Sequence, residues 1–298
     1  AHLACDFGAS SGRLILGIYD GTKIQLEEIH RFDNEPVWFR GRYYWDFLRL
    51  FHETKVGLKK LALRGIEISS IGVDTWGVDF AFLDHQGQLL CNPVHYRDDR
   101  GRGMLEAIEN ETGVTLDEIY SITGSQSMTV NTLFQLFYDT RFRSPLVEHA
   151  HALLFMPDLF SYALTGEKYN EYTIASTSMM LDSRRREWAV ELLERLGIPL
   201  RLLQPIIMPG KLWGMLSEDV QQEVGLGNIP VFAVGTHDTA SAVCATPLKN
   251  RHAAYLSCGT WSLLGVELDQ PLINRDAFEC NFTNEGGVDT TIRYLKNI

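Results

Sequence analysis

A chain of 298 residues carrying 27 Lys plus Arg against 38 Asp plus Glu has a formal net charge of −11, which argues against nucleic acid or an anionic membrane as partner and leaves any anionic ligand to find local positive charge. Its length and 45% hydrophobic content are enough for one or two domains with substantial cores. No apolar run approaches the ~18 residues of a membrane span, the amino end lacks a basic-then-apolar leader pattern, and the five cysteines (Cys5, Cys91, Cys244, Cys258, Cys280) are odd in number and without C-x-x-C spacing. A membrane span, a secretory peptide, a disulfide framework and a zinc site are therefore not expected, and the thiols are read as buried in a reducing cytoplasm. The first residue is Ala rather than Met, so the start is read as trimmed or incomplete.

Three strands are expected at 3–7, 13–19 and 24–32, the second turn being the hairpin pair Asp20-Gly21. The first turn, within Asp6-Phe7-Gly8-Ala9-Ser10-Ser11-Gly12-Arg13, combines glycines, two hydroxyls and a fixed positive charge, the ingredients of an anion cradle. It opens a strand rather than a helix, so it fits neither the Rossmann nor the P-loop context; an ordinary hairpin turn is the plain alternative. An aromatic stretch (38–45), a helix at 46–64 ended by Gly65 and a buried strand at 68–73 follow. In Asp74-Thr75-Trp76-Gly77-Val78-Asp79, Trp76 offers an apolar face to a sugar, Gly77 a close backbone approach and Asp79 a hydroxyl acceptor, set against a strand-end turn with a core Trp.

Residues 97–203 read as a helical insertion, with helices at 100–112, 115–123, 132–142, 157–164, 170–178 and 187–196, several closed by Gly. His95, Arg97 and Asp98 are either sugar contacts or a solvated loop, His149 and His151 read as structural, and Arg184-Arg185-Arg186 as a solvated helix start. The apolar run 229–234 leads into Thr236-His237-Asp238-Thr239-Ala240-Ser241-Ala242, which places Asp238 at a strand-to-helix corner as either a helix cap or a general base. Ser257-Cys258-Gly259-Thr260 is a second Gly/Thr/Ser turn in a β-rich segment, with further strands expected at 253–256, 262–267 and 278–283.

The segments D-F-G-A-S-S-G-R (6–13), G-V-D-T-W-G-V-D-F (72–80), P-V-H-Y-R-D (93–98), M-P-D-L-F-S-Y-A-L-T-G (156–166), T-H-D-T-A-S-A (236–242), A-A-Y-L-S-C-G-T-W-S-L-L-G (253–265), T-N-E-G-G (283–287) and L-K-N-I (295–298) together resemble the FGGY carbohydrate kinases of the actin/Hsp70/hexokinase superfamily, most closely their rhamnulokinase branch. The resemblance implies an α/β, ribonuclease-H-like amino-terminal lobe over 1–245 with a helical insertion, and over 246–298 the first strands of a second, ATP-binding lobe of the same kind. It implies transfer of the ATP γ-phosphoryl group to O1 of L-rhamnulose in the cytoplasm. Asp238 would be the general base, with Trp76, Gly77, Asp79, His237 and Thr239 on the sugar. Ala9, Ser10, Ser11, Gly12, Arg13, Thr260 and Asn297 would hold ATP, and Asp6 Mg²⁺. Only 60 residues follow Asp238, so against the family the chain reads as a carboxy-terminal truncation, with an uncovered second sheet, a missing adenosine site and little phosphoryl transfer of its own. A kinase of L-fuculose or a pentulose and a non-catalytic sugar-binding fragment remain the alternatives; oligomeric state is left open.

Overall fold

The computed structural model describes every residue except 249, 251, 252 and 260. Strand β1 (His2–Phe7) buries Leu3, Cys5 and Phe7 and turns His2 and Ala4 outward, the period-two pattern of a sheet covered on one face. It pairs antiparallel with β2 (Ser11–Tyr19), which pairs antiparallel with β3 (Ile24–Asp33). On its other edge β1 carries β4 (Ser70–Thr75) in parallel, with Asp6 opposite Asp74. A parallel partner needs a crossover, and the helix Phe47–Ala62 lies in that connection. The Asp46 side chain caps it by accepting from Arg49 N, while Lys59 and Lys60 complement its last turn. At Gly57 the helix touches the sheet so closely that a Cβ would lie 2.5 Å from Leu14 Cδ2.

Strands β5 (Leu212–Met215) and β6 (Pro230–Phe232) finish the sheet in the order β5-β6-β4-β1-β2-β3, with β6 parallel to β4 and β5 antiparallel to β6. Three antiparallel strands, a helix and parallel strands are the ribonuclease-H-like arrangement that the resemblance implied. A second core, built on Phe134, Phe137, Leu153 and Leu193, sits in the helical part between 97 and 203. Helices Met104–Thr112, Leu116–Thr123 and Met156–Thr165 end on left-handed Gly113, Gly124 and Gly166 as expected.

Two of the expected helices break up. Over 170–178 a two-residue strand precedes a single helical turn, Tyr172–Ala175, and a 3-10 turn; Glu171 caps the start of the helical turn by accepting from Thr173 N and Ile174 N. Over 187–196 only Val190–Arg195 is helical; Leu181–Asp182 and Glu187–Trp188 form a small hairpin, so the three arginines lie in its turn rather than at a helix start.

The carboxy-terminal residues form a separate antiparallel sheet, β7 (Ala254–Cys258), β8 (Ser262–Leu268), β9 (Thr283–Gly286) and β10 (Ile292–Asn297), in the order β7-β8-β10-β9. The strand expected at 278–283 is instead the helix Arg275–Glu279, nucleated by Asn274, whose side chain accepts from Ala277 N; the strand begins at Thr283. Leu256, Trp261 and Leu264 are exposed on this sheet. The thiols depart from the reading too: Cys5 is buried and Cys91 half-buried, whereas Cys244, Cys258 and Cys280 are exposed. Among the described residues no helix is long and apolar enough to cross a membrane.

Candidate functional site

The turn between β1 and β2 is closed by Gly8 N donating to Ser11 O at 2.9 Å. It is braced from behind by Asn34, whose backbone N donates to Ser10 O and whose side chain donates to Gly8 O at 2.8 Å. Asn34 is buried and no sequence motif singles it out. Asp6 and Arg13 face each other across β1 and β2 and form an ion pair, Arg13 Nε to Asp6 Oδ2 at 2.7 Å. The pair occupies Asp6 Oδ2 and leaves Asp6 Oδ1 and Arg13 Nη1 outside it.

Beyond β4 the chain runs through Trp76, Gly77 and Val78. Val78 has φ +67°, an outlier for a β-branched residue. Thr177 Oγ1 accepts from Val78 N, and Thr132 Oγ1 donates to Val78 O, which holds the backbone there. Gly77 packs against Thr177, with room for a Cβ only 3.3 Å from its Oγ1.

Strand β6 delivers the third element. Thr75 N donates to Thr236 O, and His237 caps the helix Asp238–Ala245, making Asp238 its first residue. The hydrogen bonds found on Asp238 all fall on Oδ1, from Thr239 N at 2.6 Å and Thr239 Oγ1 at 3.1 Å. The segment is anchored by the buried Glu171, which accepts from Thr236 Oγ1 at 2.5 Å, and by Thr173, whose Oγ1 accepts from His237 N. Burial pushes the Glu171 carboxyl up, against the pull of its Thr donors. On the far side, Glu285 and Arg293 of the second sheet contact His237 Nδ1 at 3.3 and 2.9 Å.

These elements enclose one cavity of about 530 Å³, within the range of small-molecule sites. Of the residues singled out in the sequence, Asp6, Ala9, Ser10, Arg13, Trp76, Gly77, His237, Asp238, Thr239 and Asn297 line it. Asp74, Tyr96, Gln126, Asn131, Thr177, Trp261 and Glu285 join them without having been assigned there. Tyr96 and Thr177 come from segments whose fold only the structure reveals.

Three of the assigned residues lie off the cavity lining and one lies outside the described residues. Asp79 is fully buried and does not line the cavity; its Oδ2 accepts from Trp45 Nε1 at 2.5 Å, Trp76 Nε1 at 3.0 Å and Tyr96 N at 3.1 Å, so it holds the aromatic wall rather than a sugar hydroxyl. Burial pushes its carboxyl up to about 6, against the pull of the two indoles and Arg100. Ser11 and Gly12 belong to β2 and lie outside the cavity lining, and Gly12 is small because a Cβ would meet the Phe32 ring at 2.4 Å. Thr260 lies outside the described residues. His95, Arg97 and Asp98 also miss the cavity. His95 stacks on Trp45 at 4.0 Å, and Asp98 caps a turn and pairs with Arg42.

Among the described residues no group of three or more His, Cys, Asp or Glu could by itself hold a metal ion. A hard cation such as Mg²⁺, however, commonly takes only one or two carboxylates plus phosphate oxygens. Asp6, with Asp74 opposite it on β4, offers that oxygen chemistry at the cavity. Burial, with the charges of Asp6 and Asp238, pushes the Asp74 carboxyl well above its usual range.

Residues 1–244 match the family model for the amino-terminal domain of the FGGY family of carbohydrate kinases. This chain belongs to that family. It is 47% identical over 295 residues to a rhamnulokinase of Bacteroides thetaiotaomicron, which covers 99% of this chain and 60% of the relative. It is 43% identical to a rhamnulokinase of Pectobacterium atrosepticum over 99% of this chain and 59% of that one. The chain thus spans about 60% of the length of the curated relatives it matches. Among solved structures it superposes on a ligand-bound xylulose kinase of Lactobacillus acidophilus with a TM-score of 0.86 at 16% identity, covering 100% of this chain and 60% of the other. A Plasmodium falciparum glycerol kinase with ADP gives 0.82 at 16% identity, covering 99% and 60%. At such identities the likeness speaks for the fold alone. The strand order and the family match agree on the same ribonuclease-H-like lobe.

Proposed function

We propose that the cavity takes a ketose and the phosphate end of MgATP, and that the kinase containing this chain transfers the γ-phosphoryl group to L-rhamnulose, giving L-rhamnulose 1-phosphate. The observation that carries this reading is the meeting, in one cavity, of a half-exposed carboxylate at a helix start, Asp238, with an anion-cradle turn and its Arg13. Asp238 accepts the proton of the attacking hydroxyl, while His237 and Thr239 fix the carboxylate. Trp76 and the Gly77 backbone receive the sugar, with Trp76 presenting its ring to the C–H face. Ala9, Ser10 and Arg13 receive phosphate oxygens from the first lobe and Asn297 from the second. ATP would supply the phosphoryl group, and Mg²⁺, which Asp6 would hold, would neutralise its charge. Residues 1–245 act as the sugar and base lobe and 246–298 as part of the nucleotide lobe of a cytoplasmic enzyme. The specific ketose rests on the name shared by the sequence relatives at 40–47% identity. The test is coupled ADP release over a panel of L-rhamnulose, L-fuculose and D-xylulose: the reading expects L-rhamnulose to give the highest kcat/KM, and a preference for either competitor would replace it.

A further inference from the structure

Arg293 on β10 and Glu285 on β9 face each other across the strand pair, and both reach out of the second sheet to His237. The Arg293 side chain is fully buried. Its Nε donates to Gly286 O at 2.9 Å, and its Nη2 lies 2.9 Å from Glu285 Oε2 and 2.9 Å from His237 Nδ1. On the other side of the imidazole, Nε2 lies 3.5 Å from Asp238 Oδ1. A guanidinium has only donors, so its contact with Nδ1 is a hydrogen bond only when Nδ1 carries the lone pair. The single proton of the neutral ring is then on Nε2, on the side of Asp238. The competing arrangement puts the proton on Nδ1 for Glu285 Oε2, but that contact is longer, 3.3 Å, and sets an N–H against a cation.

We propose that Arg293, held by Glu285, is a positioning residue that fixes His237 as its Nε2–H tautomer and so directs an N–H to Asp238 Oδ1, leaving Oδ2 to take the proton of the sugar hydroxyl. Thr239 N and Oγ1 already donate to the same oxygen, and His237 Nε2 stands 3.5 Å from it. Although burial pushes the Glu285 carboxyl up, the Arg293 guanidinium beside it pulls it below the usual carboxylate range, so it stays a carboxylate and keeps the guanidinium in place. The orientation of the base is thereby set from the second sheet, a dependence that neither residue's sequence neighbourhood announces.

The catalytic consequence rests on the reading of Asp238 as the base, whereas the tautomer does not, and the two are tested separately. Ring ¹⁵N NMR of the 298-residue chain, with His237→Gln to assign the signal among its nine histidines, should give a bare Nδ1 and a protonated Nε2 for the neutral ring. Arg293→Met with Glu285→Met, made together so that neither charge is left buried alone, should abolish that preference while circular dichroism stays native. In the kinase containing this chain, turnover by the paired variant should fall about tenfold or more with sugar affinity changed less than about threefold, and Asp238→Asn should cost less in that background than it does alone. A protonated Nδ1 in the unsubstituted chain, or an unaltered tautomer in the folded paired variant, would overturn the proposal. Full turnover by Asp238→Asn alone would instead remove the proposed function and leave the tautomer assignment standing.

Discussion

Asp238 and Asp79 show how much depends on where a single carboxylate points. Asp238 is half-exposed at the cavity, and, if it is the proposed general base, Asp238→Asn in the kinase containing this chain and its whole second lobe should lower turnover by about 10² or more with sugar binding largely kept. Asp79 accepts from two indoles and a backbone N–H, so Asp79→Ala should destabilise the fold by several kcal/mol, at roughly 1–3 kcal/mol for each buried donor left without a partner. Its folded pKa of about 6 lies above the ordinary 3.8, so the folded chain keeps this proton longer than the unfolded one. The contribution of Asp79 to stability is therefore greatest below about pH 4, declines as pH rises towards 6 and is constant above. Denaturant melts across that window should show Asp79→Asn flattening this component. The sequence offers both Asp79 and Asp238 as candidate site carboxylates near strand ends. Only the approach of Trp45 and Tyr96, from segments 34 and 17 residues away from Asp79, decides that one of them is structural.

At the scale of elements, the backbone around Val78 carries the clearest strain. Its left-handed φ of +67° costs on the order of 1–2 kcal/mol for a residue with a Cβ. Val78→Gly relieves that strain while losing a partly buried side chain, so its stability should lie within about 1 kcal/mol of the unsubstituted chain. Val78→Ala keeps the strain and loses the packing, so it should be the less stable of the two; the reverse order in chemical denaturation would contradict this account of the turn. Such a feature is invisible in the letters G-V-D, because the conformation is imposed by Thr132 and Thr177 from distant helices. Strands β1 to β4 and the helix Phe47–Ala62 were legible to within a few residues, since their apolar periodicity and their turn or cap residues agree. The helix read at 170–178 was not: buried Glu171 is the N-cap of a single turn that begins only at Tyr172.

Across the whole molecule, the second sheet is unevenly supported. Strand β7 lies at its edge, and Leu256, Trp261 and Leu264 are exposed. Strands β9 and β10, in contrast, bury Arg293 and Leu295 and tie into the cavity wall through Glu285 and His237. Hydrogen exchange on the 298-residue chain should therefore show β7 opening well before β1, with β10 protected more nearly as β1 is. Uniform protection from 253 to 298 would contradict this division. The sequence shows the motifs of both sheets, yet their joining through Arg293 depends on a cross-strand register that no motif encodes. The central claim, a ketose seated against Trp76 beside Asp238, is tested most directly by calorimetric titration of L-rhamnulose into this chain. Saturable one-to-one binding, kept in Asp238→Asn and weakened at least about tenfold in Trp76→Ala, is the predicted result; no binding, or binding indifferent to Trp76, would contradict it.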